Sequence, residues 1–276
     1  MRIKFSKMHG LGNDFVVIEN ISRKIALSPE KIRQLADRRT GIGCDQVLLV
    51  EAAAAPGADF AMRILNADGS EAEQCGNGVR CFTVFVRQLG LTSTSELTIA
   101  TTGGLVRSRL ESSEQISVDM GVPRLEPSEI PFLARARAPS YSLDIGGDVV
   151  TIGAVSMGNP HAVMKVDDVS TAPVSTLGPL IQRHPDFPRG ANVGFMQVID
   201  ARHIRLRVFE RGAGETPACG TGACAAVVVG HEQGLLQDAV EVSLPGGRLY
   251  VALRGANCRV WMTGPAVRVF DGEIEV

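Results

Sequence analysis

"CGNGVRCFTVFVRQLG" occupies residues 75–90, and "CGTGACAAVVVGHEQG" occupies residues 219–234. Each opens Cys-Gly-x-Gly, runs through a long apolar stretch and closes on glycine. Runs so uniformly apolar do not suit a surface helix, so each is predicted to be a helix buried in its own domain. Gly90 and Gly234 are the predicted helix stops. The surroundings repeat as well. At a shift of 144, "MRILN" (62–66) falls on "LRVFE" (206–210), pairing Arg63 with Arg207 and Asn66 with Glu210, while Glu71 meets Glu215. At a shift of 146, "HGLGNDFVV" (9–17) falls on "VSMGNPHAV" (155–163) and "CDQVLL" (44–49) on "GANVGF" (190–195). Those alignments pair Asn13 with Asn159 and Gln46 with Asn192. The chain therefore reads as two copies of one unit of roughly 130 residues, a period too long for a solenoid.

Local patterns complete the outline. "HIRLRVFE" (203–210) alternates apolar and polar residues as a half-buried strand does, and "DFAMRILN" (59–66) does so more loosely. "SPEKIRQLADR" (28–38) reads as an amphipathic surface helix, capped by Ser28, begun by Pro29, with Ile32, Leu35 and Ala36 inward. "EAAAAPGAD" (51–59) reads as a loop tip, and "PSEIPFLARARAPS" (127–140) as a Pro-punctuated segment early in the second unit. The remainder reads mostly as strands joined by Gly-rich turns such as "ATTGG" (100–104) and "LPGGRL" (244–249).

Composition narrows the function classes. The chain has 276 residues, 45% hydrophobic and 21% charged, enough for about two globular domains with real cores. Aromatics make up only 5%, so those cores are mostly aliphatic. A net charge of −2 without a basic block argues against nucleic acid and anionic membrane as partners. No apolar run reaches membrane-spanning length. "MRIKFSKMHG" lacks the apolar core of an export signal, so a cytoplasmic location with reduced thiols is expected. Of six cysteines, none forms Cys-x-x-Cys, and no histidine stands at zinc-finger spacing, so no metal site is expected. Cys44, Cys81, Cys224 and Cys258 read as small buried apolar residues.

Cys75 and Cys219 stand apart because they begin helices. A helix N-terminus carries free N–H groups and partial positive charge, which suit a carboxylate or a phosphate. The same field favours a thiolate and should lower a cysteine pKa. Two such starts, packed about a pseudo-twofold axis, would grip one carboxylate and place one sulfur on each face of the neighbouring carbon. That is what racemisation needs: one group removes a proton while the other returns one from the opposite side. The pair would titrate as a coupled system, one sulfur ionised and the other protonated. A pyridoxal cofactor is the usual alternative, held on a lysine. Lys4, Lys7, Lys24, Lys31 and Lys165 are the only lysines, and none lies in a Gly/Ser-rich phosphate loop, so no cofactor is expected. His161 and Glu210 are candidates to adjust the balance between the thiols.

At these residues the chain resembles the diaminopimelate epimerase family. "NADGSEAEQCGNGVR" (66–80) and "ERGAGETPACGTGACAA" (210–226) match the blocks around that family's two catalytic cysteines. "KMHGLGNDF" (7–15), "DRRTGIGCDQ" (37–46), "VSMGNPHAV" (155–163), "RGANVGF" (189–195) and "MTGPAVRVFDG" (262–272) extend the resemblance over nearly the whole chain. It implies an α/β (α+β) fold of two pseudo-symmetric domains, each a mixed β-barrel-like sheet around a central buried helix, with the active site in the interdomain cleft. The domains would be residues 1–119 with 265–276, and residues 120–264. Cys75 and Cys219 would be the acid/base pair, assisted by His161 and Glu210. Gly76, Asn77, Gly220 and Thr221 would supply donors to the α-carboxylate. Asn13, Gln46, Asn66, Asn159, Asn192, Glu210 and Arg211 would bind the rest of a small diamino-dicarboxylate. The implied reaction interconverts LL- and meso-diaminopimelate for lysine and cell-wall precursors. A homodimer is implied too, with Phe270 standing where relatives often carry a contact tyrosine. The rival readings are a proline-racemase-type or phenazine-type isomerase of the same superfold, a thiol redox protein using Cys75 and Cys219, and a non-catalytic amino-acid-binding module. Retention of both cysteines together with Arg211 favours the epimerase.

Overall fold

A computed structural model describes residues 2–73, 75–112 and 114–275 of the chain. It divides into two compact units, one made of residues 1–119 and 263–276, the other of residues 120–262.

The first unit begins with β1 (Arg2–Gly10), β2 (Asn13–Glu19), α1 (Pro29–Ala36), β3 (Gln46–Ala52), β4 (Phe60–Asn66) and the two-residue β5 (Glu71–Ala72). It continues through α2 (Gly76–Gln88), β6 (Glu96–Thr101), β7 (Gly104–Leu110) and β8 (Gln115–Gly121). The strands lie in the order β1-β2-β3-β4-β6-β7, paired antiparallel, parallel, antiparallel, parallel and antiparallel in turn. Residues Phe15–Ile18 of β2 are all buried, because both faces of the sheet are covered. Val16 and Ile18 pack with Ile32 and Leu35 of α1, while α2 packs against β1, β2, β3 and β7. The amphipathic reading of α1 holds: Ser28 accepts the Lys31 N–H as N-cap, and Ile32, Leu35 and Ala36 are the buried face. In α2, residues 76–86 are all buried, and Gly90 takes the left-handed conformation (φ 70°) that ends the helix.

The second unit opens on a 3-10 turn at Pro127–Glu129, within the Pro-punctuated segment. There follow β9 (Tyr141–Ile145), β10 (Asp148–Ser156), β11 (Pro160–Lys165), α3 (Val174–Gln182), β12 (Asn192–Asp200) and β13 (His203–Glu210). Next come β14 (Gly214–Thr216), α4 (Gly220–Glu232), β15 (Ala239–Leu244), β16 (Gly247–Arg254) and β17 (Arg259–Pro265). Its strands lie in the order β10-β11-β12-β13-β15-β16, with the same alternation of antiparallel and parallel pairs as the first unit. β5 and β14 are both short appendages, on β4 and β13. α2 and α4 both have 13 residues, and α4 is buried from Gly222 to Gly230. Even the charges repeat: Arg63 bonds Glu71 at 3.0 Å, and Arg207 bonds Glu215 at 2.7 Å. The final strand, β18 (Val267–Glu275), returns to pair with β1.

Two details depart from the sequence reading. α3 was hidden by Gly178-Pro179 in its middle. Gly178 is there because a Cβ would meet the Phe209 ring at 2.8 Å, so the helix lies directly on β13. Cys44, Cys81 and Cys224 are buried as expected, but Cys258 is only half-buried, in the β16–β17 turn with φ of 48°. A turn tip has no core to bury it in.

Candidate active site

Sheet order places the polar candidates. β2 and β3 run parallel and β4 antiparallel to them, so Asn13, Gln46 and Asn66 fall at one end of the first unit's sheet. The same logic gathers Asn159, Asn192 and Glu210 at one end of the second. Each helix start lies a short turn beyond that end, reached through β5 or β14.

In the first unit Cys75 is the N-cap of α2 and its sulfur accepts the Gly78 N–H at 3.4 Å. A Cβ on Gly78 would stand 3.5 Å from that sulfur, in ordinary van der Waals contact. Asn13 Oδ1 lies 3.8 Å from Cys75 Sγ and accepts Asn77 Nδ2 at 3.1 Å. Gln46 Nε2 donates to Asn66 Oδ1 at 2.8 Å. Two groups that the sequence reading passed over complete this wall. Arg80 is fully buried one turn into α2, and Asp14 is gripped by Lys7 at 2.6 Å and by Arg38 at 2.8 Å. Burial alone would raise the Asp14 carboxyl, but those two cations overcome it and hold it well below the usual carboxylate range.

In the second unit Cys219 is 3% exposed and makes no capping bond. Its thiol donates instead to Glu210 Oε2 at 3.0 Å, and Glu210 Oε1 accepts the Thr216 hydroxyl. Thr221 Oγ1 lies 3.6 Å from the sulfur. The helix field was expected to lower this pKa; it is raised well above the ordinary thiol value instead. Burial is the main cause, and the Glu210 charge and hydrogen bond add to it. His161 is 1% exposed and its Nε2 meets Asn159 Oδ1 at 2.9 Å. Burial, aided by the Arg211 charge, holds its pKa down to about 3, so the imidazole is neutral. Asn192 Oδ1 accepts the Arg211 N–H at 2.8 Å, and Arg211 Nη1 is tied to Arg189 O at 2.7 Å. Asn159 and Arg211 share a recess of about 300 Å³ with Arg124, Glu129 and Arg189. Among the described residues, no cluster of three or more His, Cys, Asp or Glu side chains is placed to hold a metal.

Each cysteine thus sits at the start of a buried helix and meets a residue from its own unit's strand ends, Asn13 for Cys75 and Glu210 for Cys219, in two units of one topology. The diaminopimelate epimerase family model matches residues 5–126 and 153–269, which takes in both helix starts. The chain belongs to the diaminopimelate epimerase family. As a member it is an isomerase. It is 59% identical to the diaminopimelate epimerase of Thioalkalivibrio sulfidiphilus over 278 residues, covering 100% of both chains. It is 56% identical to that of Nitrosospira multiformis over 276 residues, covering 100% of this chain and 99% of the relative. Among solved structures, a Bacillus anthracis phenazine biosynthesis protein of the PhzF family superposes with a TM-score of 0.68 at 19% identity, covering 100% of both chains. A probable proline racemase from Agrobacterium radiobacter gives 0.68 at 20% identity, covering 99% of this chain and 92% of that one. At those identities the likeness shows the fold, a mixed α/β architecture shared by several isomerases. No helix among the described residues is long and apolar enough to cross a membrane.

Proposed function

We propose that this protein is a cofactor-free epimerase that interconverts LL- and meso-2,6-diaminopimelate in the cytoplasm, for lysine and cell-wall precursor synthesis, with Cys75 and Cys219 as its two bases. The observation that carries the reading is the duplicated helix start: one topology delivers Cys-Gly-x-Gly twice, each time as the N-terminus of a buried helix. A reaction that must serve two mirror-related configurations has use for such a pair. In one direction a Cys75 thiolate takes the α-proton while the Cys219 thiol, held protonated beside Glu210, supplies the proton on the opposite face. In the other direction the roles exchange. The thiolate is a far weaker base than the carbanion it generates, so fixed dipoles must lower most of the barrier. The N–H groups of Gly76, Asn77, Gly220 and Thr221 at the two helix starts serve the α-carboxylate. Arg211 receives the distant carboxylate, and Asn13, Gln46, Asn66, Asn159 and Asn192 read the remaining polar groups. Neutral His161 orients Asn159 rather than carrying a proton itself.

Hydrogen exchange in D₂O with LL-diaminopimelate and no added cofactor tests this. Deuterium entering at one α-carbon as the meso isomer accumulates is the expected result. No exchange, or exchange only with pyridoxal phosphate, overturns it. We further propose a homodimer, supported by Val267, Val269 and Phe270, which are 43–55% exposed along β18. Phe270→Asp should yield a monomer by light scattering, and an unchanged mass would remove β18 from the interface.

A further inference from the structure

The side chain of Asn13 is held at both ends. Arg80 Nη2 donates to Asn77 Oδ1 at 2.9 Å, Asn77 Nδ2 donates to Asn13 Oδ1 at 3.1 Å, and Asn13 Nδ2 donates to Asp45 Oδ2 at 2.8 Å. A guanidinium only donates, and an ionised carboxylate only accepts. The two amides between them therefore have one consistent orientation each, a point that an isolated amide leaves open. Both ends are anchored. Arg80 is fully buried and also donates to Pro265 O at 3.1 Å. Asp45 accepts Arg38 Nη2 at 2.8 Å and the Asp14 N–H at 3.1 Å. The Asn13 oxygen is thereby turned to the Cys75 side, 3.8 Å from the sulfur.

A second relay on the adjacent strands has the same sense. The Ser70 hydroxyl donates to Asp68 at 2.6 Å, so its lone pair takes Asn66 Nδ2 at 3.0 Å. Asn66 Oδ1 then accepts Gln46 Nε2 at 2.8 Å, which leaves the Gln46 oxygen as the outward group. Both relays end at an aspartate and both present a carbonyl oxygen. The second unit has Ala191 and Cys224 at the positions of Asp45 and Arg80, so it has no such relay.

We propose that Asp45 is a positioning residue: it ends a one-way hydrogen-bond relay from Arg80 that turns the Asn13 carbonyl oxygen toward the Cys75 side, where it accepts the ammonium group of the amino-acid substrate. This rests on the reading that Cys75 faces the substrate. Beside the N–H donors of the helix start, the strand-end amides of the first unit are then acceptors by construction and suit a cationic group.

Two variants of the full chain test the relay. Asp45→Asn keeps the size of the side chain but can donate, so only the Arg80–Asn77 end then holds the Asn13 amide against turning over. The Asp45 side chain is 43% exposed, so the fold tolerates the change. Asp45→Glu keeps an acceptor-only carboxylate for Asn13 Nδ2 and is the conservative rescue. Epimerisation kinetics are read alongside the pH dependence of Cys75 alkylation, followed by peptide mass mapping. The alkylation is run in about 0.5 M KCl, where a Debye length of about 4 Å screens the lost charge itself. Asp45→Asn is expected to raise KM about tenfold or more with a smaller change in kcat, the loss of a hydrogen bond to a charged group. It should also move the Cys75 alkylation midpoint to lower pH, because an amide N–H now meets the sulfur and favours the thiolate. Asp45→Glu should leave the midpoint in place and KM within about threefold of the parent, because the acceptor on Asn13 Nδ2 is retained. An unmoved midpoint in Asp45→Asn, or the same two effects in Asp45→Glu, overturns the proposal. The alkylation needs no substrate, so a parent enzyme inactive on diaminopimelate would refute the proposed function while still reading the relay.

Discussion

The Cys219 sulfur stands 3.0 Å from Glu210 Oε2, while the matching cysteine, Cys75, has Asn66 at the strand position equivalent to Glu210. That carboxylate adds to burial in making the Cys219 thiol hard to ionise. In Glu210→Gln the anion is gone and burial remains. The Cys219 pKa should fall, yet stay above that of an exposed thiol. Alkylation of the Cys219 peptide across pH 7 to 11 measures this; a midpoint that rises or stays put would show that Glu210 does not bear on the sulfur. Turnover should drop by about 100-fold or more, the usual scale for loss of a proton-transfer assistant.

Removing either sulfur should stop epimerisation without unfolding the chain. Cys75→Ala and Cys219→Ala are each expected to lower kcat by about 100- to 10,000-fold. Circular dichroism should match the parent, since both side chains are small and α2 and α4 are held by residues 79–86 and 222–230. Near-parental turnover in either variant would remove that residue from the chemistry.

Much of this was legible in the sequence because duplication writes the same polar positions twice. Asn13 with Asn159, Gln46 with Asn192, and Arg63-Glu71 with Arg207-Glu215 occupy equivalent places, the last pair down to its salt bridge. What was not legible depends on neighbours brought together by folding. Asp45 is adjacent to Gln46 in sequence, but its role comes from Asn13, 32 residues away. The pKa of Cys219 ran opposite to the helix-field argument because that field acts on a sulfur already out of water and beside a carboxylate. α3 escaped because Gly-Pro normally breaks a helix, and only its seat on Phe209 shows why the glycine is there.

Packing of α4 offers a test of the second unit. A Cβ on Gly153 of β10 would lie 2.3 Å from Val229 Cγ1, so the helix rests directly on strand backbone. Gly153→Ala should cost about 1–3 kcal/mol, the usual penalty for overpacking a core. Urea unfolding measures it. An unchanged midpoint would mean that α4 yields freely, contrary to its burial on all sides.

His161 separates an orienting role from a proton-carrying one. In the folded protein it stays neutral down to about pH 3, because burial and the Arg211 charge oppose the imidazolium. In the unfolded chain an ordinary histidine takes up its proton near pH 6.5. The folded pKa is thus depressed, so this contribution to stability is complete above about pH 6.5 and declines as pH falls from there toward 3. Its slope approaches about 1.4 kcal/mol per pH unit in that window. His161→Gln keeps a donor for Asn159 Oδ1 and cannot titrate. Between pH 6.5 and 4.5, where few carboxylates protonate, its stability should change less with pH than the parent's, as read from urea unfolding at a series of pH values. Turnover should fall by less than about tenfold, because an orienting hydrogen bond is replaced rather than lost. A loss of about 100-fold or more at unchanged KM would instead make the imidazole a proton carrier. A pH–stability profile parallel to the parent's would show that His161 is protonated in the folded chain, and the neutral, orienting role would fall with it.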